Sequence, residues 1–161
     1  NTSLIKELRA IALTQRLADE GGLDLGHRRT FLHIIHTEEE VEGRKRTVLQ
    51  LHPRLAPVKV AVLPLFNKEG MPEQAKEINA ALRKAGIQTE YDSGGSIGKR
   101  YRRQDEIGTP WGITVDFDTK DDGMVTLRDR DSLEQSRVPI EGLPSLIAGK
   151  LAEDWKSPKL G

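Results

Sequence analysis

The stretch Val58–Leu65, VKVAVLPL, is a nearly unbroken apolar run of strand length. A strand that is apolar on both sides must be covered on both sides, which is the condition of a strand inside a parallel sheet flanked by helices. The residues that follow supply such a cover. Pro72 suits the first turn of a helix, Ala75, Ile78, Leu82 and Ala85 give it an apolar stripe, and Gly86 suits its C-terminal cap. Ile87–Tyr91 then alternates like a second strand, so the segment reads as one βαβ unit with a right-handed crossover. Upstream, the prolines between His52-Pro53 and Pro57 predict an extended linker at 51–57 and a domain boundary.

A second unit follows in Asp92–Asp118. Ser96 is placed to cap a helix over 96–107 that Gly108-Thr109-Pro110 would stop, and Trp111–Phe117 alternates as a strand. At ~100° per residue, Ile97, Tyr101 and Gln104 share one stripe of that helix, Lys99, Arg102 and Glu106 lie opposite, and Arg100 and Arg103 occupy a flank. Asp121-Asp122-Gly123 reads as a hairpin turn into Met124–Arg130, with Gln135–Ile140 as a further antiparallel strand. Alternation puts Ile113, Val115 and Phe117 on one sheet face and Thr114 and Asp116 on the other. On the next strand Val125 and Leu127 turn inward while Thr126, Arg128 and Arg130 turn outward, which predicts a partly polar sheet face. Leu143, Leu146, Ile147 and Leu151 mark a closing helix over 141–154, and 155–161 reads as a tail. The expectation is an α/β domain at 58–154, three layers with a mixed sheet of about five strands.

Residues 1–50 read differently. Leu4, Leu8, Ile11 and Leu17 give an amphipathic helix over 1–20 that Gly21-Gly22 ends, and Phe31, Leu32, Ile34 and Ile35 predict another helix over 29–40. Glu38–Glu42 followed by Arg44–Arg46 then forms an exposed connector. Composition narrows the partners. Lys+Arg and Asp+Glu are both 25, so any nucleic-acid contact must come from local clustering of charge. The chain has no cysteine, hence no thiolate chemistry or zinc ribbon, and no apolar run of membrane-spanning length. The expected compartment is the cytoplasm, with no membrane partner.

Lys99, Arg100, Arg102 and Arg103 cluster around Tyr101, a combination that suits phosphate contacts, although such a charge run taken alone is more often a solvated helix face. Arg128 and Arg130 beside Thr114 and Asp116 either read base edges, since a guanidinium donates bidentately to guanine, or form an Arg–Asp ladder that stabilises the hairpin. Gly94-Gly95-Ser96-Ile97-Gly98 is better read as a tight turn than as a phosphate cradle, because no Gly-Lys-Ser/Thr follows. His33 and His36 without a further converging ligand read as surface residues and not as a metal site. No nucleophile–His–Asp arrangement stands out.

Three groups of residues carry a resemblance: Tyr101-Arg102-Arg103-Gln104-Asp105-Glu106-Ile107-Gly108-Thr109-Pro110, Thr114–Asp118 with Val125–Asp131, and Arg46–Pro57 with Tyr91-Asp92. In this order they resemble the C-terminal anticodon-binding domain of class II glycyl-tRNA synthetases, over about residues 26–140. The resemblance implies recognition of tRNA-Gly. Phosphate contacts would come from Lys99, Arg100, Arg102 and Arg103, and base contacts from Thr114, Arg128, Arg130 and carboxylates such as Asp105, Asp116 or Glu134, since glycine anticodons are rich in C and a carboxylate accepts from the cytosine amine. Gly26-His27-Arg28-Arg29-Thr30-Phe31 resembles the end of the third class II motif, with Arg29 as the ATP-binding arginine and Arg28 where the family carries an acid. The other two class II motifs are absent, so 1–50 reads as the remnant of the end of a catalytic domain and no catalytic set is complete. ATP and magnesium would belong to the full-length enzyme, a glycine–tRNA ligase expected to be a homodimer. Two other classes remain compatible with the residues: a non-catalytic relative like the accessory subunit of the mitochondrial DNA polymerase, and a flavodoxin-like nucleotide-binding domain.

Overall fold

A computed structural model describes residues 36–156 and Pro158. The helix expected over 1–20, the beginning of the one at 29–40, and Arg29 lie outside them. From Val60 onward the sheet is the expected one. Its five strands are β3 (Val60–Pro64), β4 (Thr89–Tyr91), β5 (Trp111–Val115), β6 (Met124–Asp129) and β7 (Gln135–Pro139), in the order β4-β3-β5-β6-β7. β3 pairs in parallel with β4 and β5, whereas β5–β6 and β6–β7 are antiparallel.

The helices are α1 (Met71–Lys84), α2 (Ile97–Ile107), the single turn α3 (Thr119–Asp122) and α4 (Leu143–Ala152). The connection β3-α1-β4 moves one way along the sheet and β4-α2-β5 crosses back over β3. Two right-handed crossovers of opposite direction put their helices on opposite faces. One face carries α1 and α4 over Val60, Val62, Ile113, Val115, Val125 and Leu127, and Met71, Ala75, Ile78, Leu82, Leu143 and Ile147 fill the core. The other face carries α2.

That second cover overturns the expected polar sheet face. All five residues of β5 are buried, because α2 lies across them: Tyr101 packs on Gly112 and its hydroxyl bonds Thr114 Oγ1. Burial pushes the Tyr101 phenol above its ordinary pKa. Asp121-Asp122-Gly123 belongs to α3 and its left-handed glycine cap, so a helical turn and not a tight hairpin turn joins β5 to β6.

The region before Val58 departs most from expectation. Where a helix over 29–40 and an exposed connector were predicted, β1 (His36–Val41) and β2 (Arg44–Leu49) form an antiparallel hairpin. Its turn is Glu42-Gly43, both with positive φ. The run of Glu and Arg reads as a connector, but in register it becomes a set of cross-strand pairs: Glu40 opposite Lys45 and Glu39 opposite Arg46. Val48 and Leu49 of β2 are buried. The proline-rich 51–57 is also not extended. The amides of Leu55 and Ala56 return to the His52 carbonyl, and Lys59 Nζ donates to the carbonyls of Pro53, Arg54 and Ala56 at 2.7–3.0 Å. Burial there holds the Lys59 ammonium below its ordinary pKa.

Gly108 is where hairpin and sheet domain close on each other. It caps α2 at φ 83, and a Cβ there would stand 2.9 Å from the Leu49 carbonyl and 3.0 Å from Leu51 Cδ1. Gly86 has φ 84 but open space around it. Gly86→Ala is therefore expected to cost about 1–2 kcal/mol, the left-handed penalty alone, and Gly108→Ala clearly more, as measured by urea unfolding. Equal costs would show that the hairpin does not pack against this helix end.

Candidate nucleic-acid interface

The cations singled out from the sequence divide sharply. Lys99 and Arg102 are exposed on α2. Arg100 is buried: it donates to the carbonyls of Pro64, Leu65 (3.1 Å) and Asp92 (3.2 Å), fastening the C-terminal ends of β3 and β4 to the helix. Arg103 is paired with Asp92 at 2.6 Å. The helix therefore turns Arg100 inward together with Gln104 and Ile107, and its exposed charge is smaller than its composition.

Arg128 and Arg130, expected to point outward, are 9% and 1% exposed. The physical reason is a polar layer between β6, α2 and the hairpin. Asp105, itself 1% exposed, accepts from Arg128 at 2.8 and 3.0 Å and from Arg46 Nη1 at 3.2 Å. Arg46 also pairs with Glu39 at 2.7 Å and donates to the Arg130 carbonyl at 2.7 Å. The Arg128 guanidinium lies 4.6 Å over the Tyr101 ring. Arg130 donates to the carbonyls of Gly108 and Leu51, both at 2.8 Å, and pairs with Asp131, whose other oxygen takes the Trp155 indole N–H at 2.9 Å. Both guanidiniums are thus engaged within the chain. Asp116 caps the turn into α3 through Thr119 and pairs with Arg137 at 2.5 Å, Thr114 is held by Tyr101, and Glu134 is exposed beyond the far end of β6.

The place where open-sheet α/β proteins take ligands is the crevice outside the C-terminal ends of the strands, where successive crossovers diverge. Here that point lies between β3 and β5, and each strand delivers one exposed phenylalanine just past its end. Phe66 is 47% and Phe117 44% exposed, with ring centroids 5.4 Å apart. Lys68 Nζ stands 5.4 and 5.6 Å from the two rings. Asn67 ties this loop to the one entering α2 by donating to the Ser93 carbonyl at 3.1 Å. Beside Phe117 is a cavity of about 350 Å³ lined by Glu69, Gln74, Asp116 and Lys120. Glu69 holds φ 57, a left-handed conformation uncommon for glutamate.

Sequence alternation missed this platform because it assigned Phe117 to the inward face of β5. The strand ends at Val115, and Asp116 turns the chain. The available signal was position: Phe66 falls directly after the apolar run Val58–Leu65.

Residues 59–150 match the family model described as an anticodon binding domain. Among curated proteins, the chain is 55% identical over 126 residues to the glycine–tRNA ligase of Clostridium perfringens, covering 75% of this chain and 26% of that protein. It is 57% identical over 122 residues to that of Treponema denticola, covering 73% and 27%. The chain thus spans about a quarter of the length of these relatives. Among solved structures it is similar to a prolyl-tRNA synthetase from Cryptosporidium parvum, with a TM-score of 0.60 and 28% identity over 65% of this chain and 24% of that one.

Removing one partner of a buried ion pair leaves the other charge without compensation, at a cost of about 3–5 kcal/mol. Arg128→Ala is expected to show that cost as a lower thermal midpoint, whereas Lys99→Ala and Arg102→Ala should leave the midpoint nearly unchanged. An unchanged midpoint for Arg128→Ala would place that guanidinium outside the polar layer.

Proposed function

We propose that this chain, which belongs to the anticodon-binding domain family, grips the anticodon arm of tRNA-Gly as one part of a glycine–tRNA ligase. The observation that carries the reading is the pair of exposed phenylalanines at the strand-end crevice. Two apolar rings held 5.4 Å apart in water have no role in the core, and an unstacked base has a π-face for each of them. Lys68 over both rings adds a cation where a phosphate or a base edge would pass.

Base discrimination is assigned to the groups that border the crevice. The carboxylate of Glu69 beside Phe117 is an acceptor of the kind a cytosine amine requires, whereas Asp116 is engaged by Thr119 and Arg137 and belongs to the framework. Of the residues expected from the sequence to touch RNA, Lys99 and Arg102 keep the role of phosphate contacts. Arg100, Arg103, Asp105, Thr114, Arg128 and Arg130 act through the framework they hold together. Joining glycine to its tRNA would draw on ATP and magnesium bound elsewhere in the whole enzyme, with Arg29 in the remnant of that site and a homodimer as its assembly. Its place would be the cytoplasm, and among the described residues no helix is long and apolar enough to cross a membrane.

Binding to tRNA-Gly, an anticodon-substituted tRNA-Gly and an unrelated tRNA tests the reading. The chain is expected to prefer the first. Phe117→Ala is expected to weaken that affinity roughly tenfold, since a stacked base is worth about 1–3 kcal/mol, and to narrow the gap between the first two RNAs. Equal affinity for all three would remove anticodon reading, and tighter binding to a primer–template duplex would move the chain to the polymerase-accessory class.

A further inference from the structure

The hairpin does more than pack on α2. Its tip and the exposed flank of the helix enclose a cleft of about 260 Å³ whose walls carry Arg44 and Lys45 on one side and Arg102 on the other, with Arg46, Asp105 and Arg128 at its floor. The lining holds five cations, Arg44, Lys45, Arg46, Arg102 and Arg128, against two acids, Glu42 and Asp105. The floor neutralises itself: Asp105 is shared by Arg46 and Arg128, and Arg46 is also paired with Glu39. What remains is a positive rim. Arg44 lies opposite Val41 on the hairpin face that carries Glu39 and Arg46, the face turned to α2, while Lys45 lies opposite Glu40 on the other face.

We infer that this cleft is a second, phosphate-binding contact for RNA, built jointly by the hairpin and α2 and distinct from the aromatic crevice. The inference rests on the RNA-binding reading above. Three observations support it. Arg44 and Arg102 are exposed, so a phosphate can reach both. They stand on two elements whose spacing is set by the Arg46–Asp105–Arg128 bridge, so the cleft is held open before any ligand arrives. The loop leading into α2 is bonded to the loop that bears Phe66, through Asn67 and Ser93, so one RNA backbone can pass from the crevice onto the helix flank that carries Lys99 and Arg102. A guanidinium on each wall, Arg44 and Arg102, suits a phosphodiester oxygen.

The test is a salt series of tRNA-Gly binding by the chain and by Arg44→Glu with Arg102→Glu. Each phosphate that is no longer neutralised should flatten the slope of log affinity against log salt by about 0.7–0.9. The double variant is thus expected to lose about one to two units of slope and at least tenfold affinity at low salt, with its preference for the glycine anticodon retained and its thermal midpoint unchanged. Arg44→Gln with Arg102→Gln, which cannot repel, should shift the slope in the same direction by less. An unchanged slope in both variants overturns the cleft while leaving the crevice standing. A wild-type chain that binds no RNA overturns the proposed function and, with it, this ligand class. Displacement of tRNA by polyglutamate at equal charge concentration, abolished in the double variant, would reassign the cleft to an acidic peptide.

Discussion

Asp105 is 1% exposed and holds a guanidinium from the hairpin on one side and one from β6 on the other. A buried carboxylate is costly unless it is paired and fully hydrogen-bonded, and a lone arginine against it would leave oxygen lone pairs unmet. Two arginines against one aspartate would leave an excess positive charge. Glu39 removes it, closing the layer at two cations and two anions. Arg130 and Asp131 add a further balanced pair that ties Leu51, Gly108 and Trp155 into the same layer. Apolar packing alone would let the hairpin slide along α2. Directional bonds between fixed partners specify one position.

That layer consumes the charges that composition and alternation would send to RNA. A guanidinium buried and bonded inside the chain is held away from a base edge, so the face of β6 that looks most cationic in sequence is structural. The functional surface shifts to what the framework leaves exposed: the rings of Phe66 and Phe117, Lys68, and the outer cations Lys99 and Arg102. Arg100 links the two regions. It secures the ends of β3 and β4 from beneath, and so fixes the loops that carry the crevice.

The sheet, its two crossovers, α1, α2 and α4 were legible because each rests on periodicity: an apolar run at Val58–Leu65, a stripe at Ala75, Ile78 and Leu82, a glycine stop at Gly108. The hairpin was not, since β1 and β2 are stabilised by cross-strand charge pairs and by burial of Val48 and Leu49, and a strand of glutamates has no apolar alternation to read. The orientation of Arg128 and Arg130 was illegible for a related reason. Alternation assigns a face but not what covers it, and the cover came from a helix and a hairpin distant in sequence. Phe117 was misplaced because a strand's period continues past its end when the next residues are also alternating.

If RNA meets this chain at the C-terminal ends of β3 and β5, an anticodon-arm hairpin RNA must perturb the groups that stand there. Titrating the isotope-labelled chain with that RNA and following ring and amide resonances by NMR reads this out. The largest shifts are expected in the rings of Phe66 and Phe117 and the amides of Asn67–Gly70 and Asp116–Lys120, with smaller shifts along the exposed side of α2. Shifts confined to the opposite end of the sheet, at Val58, Ile87 and Glu90, with both rings unmoved, would contradict it.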